Sequence, residues 1–268
     1  MFHNVDKKLQ VIGGGKMGEA LLGGLISTGW APSESLHIVE PDSDRREYLQ
    51  SALKGVSLGT DPLEGVDALI AVKPHIVSEA CLALHDLNVK RVLSIAAGIT
   101  LSALESSLNP GTAVLRSMPN TPSLVGQGAS GLAGGSAASE DDLTWAVSIL
   151  SAVGGVVVVD ESDLDAVTGV SGSGPAYVFL LAEKMIEAAV AEGLTYEVGV
   201  ELTERTILGA ATLLRESDEP PSVLRENVTS KGGTTAAGLA VFEQANFSNL
   251  IREVVKAAAD RSRELGAN

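Results

Sequence analysis

The stretch Leu9-Gln10-Val11-Ile12-Gly13-Gly14-Gly15-Lys16-Met17-Gly18 decides the fold. A short β-type run, Leu9–Ile12, passes directly into glycines at 13, 15 and 18, and an apolar helical pattern follows over Gly18–Thr28. This is G-x-G-x-x-G in a strand–turn–helix setting, the context in which a dinucleotide pyrophosphate rests on a helix N-terminus. Gly13 permits the tight turn, Gly15 lets the backbone approach the pyrophosphate, and Gly18 allows close helix–strand packing. A bare glycine triplet is only a turn. The flanking strand and helix make Gly13, Gly14, Gly15, Lys16 and Met17 candidate cofactor contacts.

Outward from this stretch, further β-type runs occur at Leu36–Val39, Ala68–Val72, Arg91–Ile95, Ala113–Arg116 and Val156–Val159. Helical patterns at Ser43–Leu53, Ile76–His85 and Glu140–Ala152 lie between several of them. Alternating strands and helices predict βαβ units and a doubly wound, mainly parallel sheet of the Rossmann type over residues 1–160. The run Ala129–Leu132 is expected to add an antiparallel edge strand.

After Asp160 the β pattern stops. Asp163–Val170, Pro175–Glu192, Glu197–Glu216, Ser222–Val228, Thr234–Gln244 and Phe247–Leu265 all read as helices, so residues 161–268 form an all-α second domain. Several of these helices are apolar on more than one face: Ala188 to Ala191 run consecutively, as do Ala257 to Ala259. Such helices need partners on several sides. Subunits are therefore expected to bury one another's second domains.

The bulk numbers narrow the class. At 268 residues the chain is long enough for two domains with full cores, and 45% hydrophobic with only 3% aromatic residues means cores of Ala, Val, Leu and Ile. Nineteen basic against 34 acidic residues give a formal charge of −15, a field that repels phosphate backbones and anionic lipid. Neither nucleic acid nor membrane is an expected partner. No signal-like apolar core follows Met1 and no apolar stretch is long enough to span a bilayer, so the cytoplasm is the expected location. The single cysteine, Cys81, excludes an internal disulfide and reads as a buried thiol. His3 and His37 look peripheral, His75 and His85 flank a helix, and no spacing links any of them to carboxylates as metal ligands.

Glu40 ends the second strand, where a Rossmann acid binds the adenine ribose 2′-hydroxyl and disfavours a 2′-phosphate. Arg45 and Arg46 follow closely and are equally well read as phosphate ligands or as solvated helix charges. The choice between NADH and NADPH stays open at this stage.

Five further segments then coincide: Ala71-Val72-Lys73-Pro74, Ser94-Ile95-Ala96-Ala97-Gly98, Arg116-Ser117-Met118-Pro119-Asn120-Thr121-Pro122, Asp165 to Tyr177 with Ser171-Gly172-Ser173-Gly174-Pro175 at its centre, and Asn227-Val228-Thr229-Ser230-Lys231-Gly232-Gly233-Thr234-Thr235. Together they resemble the pyrroline-5-carboxylate reductase family over nearly the whole chain. The resemblance implies a Rossmann domain holding NADPH or NADH, a helical domain forming an intertwined homodimer, and in some members assembly into rings such as decamers. It implies reduction of 1-pyrroline-5-carboxylate to L-proline, the last step of proline biosynthesis. By the same analogy Val72, Lys73 and Ala97 line the cofactor site, Asn227 reaches it from the helical domain, and Glu161, Thr234 and Thr235 contact the substrate. One departure is Lys231, where family members commonly have proline.

These residue types suit a small cyclic imine carrying a carboxylate. The segment from Ser230 to Thr235 opens a helix, so backbone N–H groups there can hold the carboxylate, and Gly233 lets the backbone come close. A threonine hydroxyl can donate to or accept from the ring nitrogen, and the resemblance assigns that place to Thr235, the catalytic candidate; Ser230, Gly233 and Thr234 join it as expected substrate contacts. The plainer reading is a glycine-rich helix start capped by a serine or threonine. Ser173 likewise reads first as the cap of a helix beginning at Pro175. A β-hydroxyacid dehydrogenase would share the glycine-rich loop but needs a lysine with asparagine four residues on; Lys184 is followed by Ala188. A non-catalytic dinucleotide sensor would have no need of the Gly-Gly-Thr-Thr helix start.

Overall fold

The computed structural model describes residues 7–266; His3 lies outside them. Contacts divide these residues into two compact units, 7–173 with 256–266, and 174–255.

The first unit is built on eight strands: β1 (Leu9–Ile12), β2 (Leu36–Val39), β3 (Ser57–Gly59), β4 (Ala68–Ile70), β5 (Arg91–Ser94), β6 (Ala113–Met118), β7 (Gly128–Gly134) and β8 (Gly154–Val158). Their order is β3-β2-β1-β4-β5-β6-β7-β8, parallel throughout except for the antiparallel β6–β7 pair. Helices α1 (Lys16–Ser27), α2 (Ser43–Ala52), α3 (Val77–Leu84), α4 (Leu101–Ser106), α5 (Glu140–Leu150) and α6 (Leu164–Val167) cross between strands or follow the last one. Because both sheet faces are covered, the central strands are buried at every position, as a doubly wound sheet requires. Leu9 and Val11 join Leu21, Leu25 and Leu49 in one core layer. Ile12, Val39 and Ile70 join Val77, Cys81 and Leu84 in the other.

Gln10 breaks the apolar run of β1 yet is fully buried. Its amide donates to the Leu63 and Val66 carbonyls at 2.9 and 2.8 Å, and its oxygen accepts from the Leu63 N–H at 2.7 Å. A buried amide satisfied in this way costs little, and it pins the turn leading to β4.

Two expectations are corrected here, and two elements went unread. β7 is antiparallel to β6 as read, but it is not an edge, because β8 pairs on its far side. His37 is not peripheral: it sits in β2, 5% exposed. Strand β3 and helix α4, at three and six residues, are too short to leave a periodic pattern.

The second unit contains α7 (Gly174–Ala191), α8 (Tyr196–Glu216), α9 (Pro221–Asn227), α10 (Thr234–Gln244) and the first part of α11 (Phe247–Gly266). No residue of α7, α9 or α10 is buried, and α8 buries only Gly199 and Thr203. Phe179, Leu180, Leu208 and Val241 are more than half exposed. Apolar surface on this scale marks an interaction face. The far end of α11 belongs to the first unit, where the Ser262 hydroxyl donates to Asp165 at 2.6 Å and Leu265 lies against Gly98.

Candidate functional site

The groove at the C-terminal ends of β1, β2 and β4 starts from the glycine turn. Gly13 sits at φ +104°, and a Cβ there would lie 2.8 Å from Val72 Cγ1 and 2.9 Å from the Ala71 carbonyl. A Cβ on Gly18 would meet the Gly13 carbonyl at 2.4 Å. Both glycines are imposed by packing. Gly15 differs: a Cβ there would touch nothing within 4 Å, and the residue is the N-cap of α1 without any side-chain cap. Open backbone at the head of a twelve-residue helix fits a pyrophosphate, through its N–H groups and the helix dipole.

The groove has a volume of about 550 Å³ and is lined by Gly13, Gly15, Glu40, Val72 and Lys73, together with Thr60, Asp61 and Pro62 after β3. Lys73 is exposed and precedes a single 3₁₀ turn at Pro74–Ile76. The structure thus brings together five of the expected cofactor contacts. Four others are placed differently. Gly14 is buried and braced within the protein, Lys16 lines a separate concavity along α1, and Met17 packs against the core. Ala97 is exposed in the turn after β5.

Glu40 is held in place. Its Oε2 accepts from the Gly14 N–H at 2.9 Å and its Oε1 from the Asp42 N–H at 3.0 Å. Arg45 donates to the Gly14 carbonyl and pairs with Glu19, both at 2.6 Å, with its guanidinium 4.8 Å from the Tyr48 ring centroid. Burial raises the Glu19 carboxyl pKa, but hydrogen bonds from Arg45 and Tyr48 outweigh it and hold the group below its ordinary value. Arg46 donates to the carbonyls of Glu40 and Pro41 at 2.7 Å. Both arginines therefore brace the groove's rim through local partners that the sequence did not reveal.

Glu161 is engaged too. Its Oε1 accepts from the Leu101 N–H at 2.7 Å and from Arg116 at 2.8 Å. Glu161 thus ties β6 to the start of α4, from 45 residues beyond Arg116 in sequence. Oε2 is the oxygen outside these bonds.

In the second unit, Ser230, Gly233, Thr234 and Thr235 come together at the head of α10, and Asn227 ends α9. Gly232 has φ +73°, and a Cβ on Gly233 would collide with Ser230 Oγ at 2.3 Å. Gly233 is the N-cap and no side chain caps the helix, so the plainer serine or threonine cap is not what the segment forms. Thr234 and Thr235 are exposed, and neither hydroxyl has a hydrogen-bond partner among the described residues.

Other candidates resolve as structural. Lys184 is exposed, and the hydrogen bonds it donates to Glu183 and Glu187 push its pKa up to about 12, so it is no proton acceptor at neutral pH. Burial pushes the Cys81 thiol up to about 11. Among the described residues no cluster of His, Cys, Asp or Glu can hold a metal ion, and no helix is long and apolar enough to cross a membrane.

Known proteins match over the whole length. Residues 8–98 fit the family model described as NADP oxidoreductase, coenzyme F420-dependent, and residues 161–265 fit pyrroline-5-carboxylate reductase dimerisation. A pyrroline-5-carboxylate reductase of Synechocystis is 42% identical, with 97% of this chain and 98% of that protein covered. One from Arabidopsis thaliana is 38% identical, at 96% and 95%. The solved structure of a Coxiella burnetii pyrroline-5-carboxylate reductase superposes with a TM-score of 0.92 at 36% identity, covering 97% of this chain and 98% of that one. The Plasmodium falciparum pyrroline carboxylate reductase with NADP bound gives 0.84 at 30%, with the same coverage. With that identity along its full length, the chain belongs to the pyrroline-5-carboxylate reductase family.

Proposed function

We propose that the protein reduces 1-pyrroline-5-carboxylate to L-proline with NADPH or NADH. The observation that carries the reading is the head of α10, where two glycines clear the backbone and two threonine hydroxyls stand without protein partners. The cofactor supplies a hydride when bound, and the imine carbon receives it while the ring nitrogen takes a proton.

The chain's own residues have four tasks. Gly15 and the first turn of α1 bind the pyrophosphate, with Gly13, Gly14, Lys16 and Met17 shaping that turn. Glu40, Val72, Lys73 and Ala97, with Asn227, position the rest of the cofactor. Free backbone N–H groups at the head of α10, framed by Ser230, Gly233 and Thr234, hold the substrate carboxylate, and Glu161 contacts the substrate. Thr235 orients the ring nitrogen with its hydroxyl, which can serve as donor or acceptor as the nitrogen's protonation changes.

The uncovered apolar faces of α7, α8 and α10 support a homodimer joined through the second unit. Assembly of dimers into a decamer and a cytoplasmic location complete the proposal. The test is absorbance at the nicotinamide band on adding pyrroline-5-carboxylate: oxidation of the cofactor is expected, and binding without turnover would overturn the reading.

A further inference from the structure

His37 is a buried titratable group with no place in the chemistry above. Its Nδ1 is hydrogen-bonded to Ser57 Oγ at 2.8 Å, and the same hydroxyl lies 3.2 Å from the Leu36 carbonyl. Nε2 is buried on the other side of the ring, toward the Asp61 backbone. Gly59 is pressed against this side of the ring: a Cβ there would lie 3.2 Å from Cε1 and 3.3 Å from Nε2, and the Asp61 carbonyl flanks the same point at 3.8 Å.

The strip resting on the ring is part of the groove. Ser57 pairs with His37 in register, the Gly59 carbonyl accepts from the Glu40 N–H at 3.0 Å, and Thr60, Asp61 and Pro62 line the groove along with Glu40. In a doubly wound dinucleotide fold the end of β2 is the adenosine side. We propose that His37 is a positioning residue for the adenosine end of the cofactor groove, its ring setting the height of the 59–62 wall and its hydrogen bond with Ser57 fixing β3. The proposal rests on the reading of this groove as the NAD(P)H site.

No other side chain in β3 can replace this support, because Leu58 and Gly59 offer no polar group there. A lost ring lets the wall settle away from Glu40 and loosens the cofactor. The imine chemistry keeps its residues unchanged.

Three variants separate this from a general loss of packing. Asparagine at 37 keeps an amide that can hydrogen-bond with Ser57, whereas alanine removes both the hydrogen bond and the ring. His37→Ala is expected to weaken NAD(P)H binding, read as Kd by cofactor fluorescence titration, roughly 3- to 10-fold, the size of one neutral hydrogen bond. KM for the cofactor should rise in step, while kcat and KM for the imine stay within about twofold, a split that random destabilisation does not produce. His37→Asn should recover most of the loss, and His37→Leu, which keeps bulk but no hydrogen-bonding group, should weaken binding as alanine does and carries the test if the alanine variant does not fold. Unchanged cofactor Kd in folded His37→Ala or His37→Leu, or equal losses in kcat and both KM values, would overturn the assignment. The titration needs no turnover. A wild-type protein that binds cofactor but leaves the imine unreduced would therefore count against the proposed activity and not against His37.

Discussion

Thr235→Ala is the substitution that separates a catalytic hydroxyl from a helix cap. The N-cap of α10 is Gly233, no side chain caps the helix, and Thr235 is exposed without a partner. Deleting its hydroxyl therefore breaks no hydrogen bond within the chain, and alanine is a better helix former than threonine. Tm should hold or rise slightly. Against the substrate the balance is different. A hydrogen bond to a charged or charging group is worth roughly 1.5–3 kcal/mol. At about 1.36 kcal/mol per tenfold, its loss in the transition state lowers kcat/KM by about 10- to 150-fold. Steady-state rates followed at the nicotinamide band give this number, and a cofactor titration shows whether NAD(P)H affinity is preserved. Thr235→Ser should recover much of the loss. Unchanged kcat/KM in the alanine variant refutes the assignment of the hydroxyl to the ring nitrogen. A fall of several degrees in Tm refutes the reading of an uncapped helix.

Glu40→Ser removes the carboxylate that would face a 2′-phosphate, so the kcat/KM ratio of NADPH to NADH should rise about tenfold or more, in line with loss of a charged interaction; an unmoved ratio means that Glu40 does not face the ribose. Gly13→Ala and Gly15→Ala should part company. The first forces a Cβ into Val72 at φ +104° and costs stability, by about 1–2 kcal/mol from backbone strain alone, read as a lower denaturation midpoint. The second leaves the fold intact and raises KM for the cofactor; equal stability losses in both would contradict the open backbone at Gly15. Leu208→Asp places a charge on an exposed apolar face of α8 and should shift the dimer toward monomer in light scattering; an unaltered mass would show that this face is not the subunit contact. Cys81, buried with its thiol pushed up to about 11, should resist thiol-specific reagents at pH 8 until the protein is denatured, and fast labelling of the native protein would contradict that burial.

The sheet was legible because its central strands are buried on both faces and so read as apolar runs. The glycine turn was legible because each glycine has its own geometric demand. What stayed hidden depends on neighbours distant in sequence. Ser57-Leu58-Gly59 is a strand only because β2 offers it an edge, and His37 is buried only because that strand covers it. Arg116 and Glu161 are 45 residues apart, and nothing in either segment announces their pairing. The change of pattern near residue 160 marks where β structure stops, whereas packing carries on: Leu164 sits in the sheet's core and the compact unit runs to Ser173. At the head of α10 the residue types were readable, but the absence of a side-chain cap was not, since Ser-x-x-Gly-Thr-Thr is compatible with either arrangement.

The return of residues 256–266 to the sheet unit has a consequence for synthesis on the ribosome. Between Ser173 and Lys256 lie 82 residues, which at ~5–20 residues per second take about 4–16 s to translate. Throughout that interval the nascent sheet lacks the helix end that supplies the Ser262 bond to Asp165 and covers Gly98. The apolar faces of α7 and α8 emerge during the same seconds, before any second subunit can cover them. Two sticky surfaces are thus displayed together on one unfinished chain, one awaiting its own downstream helix and the other a partner. A chaperone that holds this intermediate should raise the yield of soluble enzyme more than one acting on the released polypeptide.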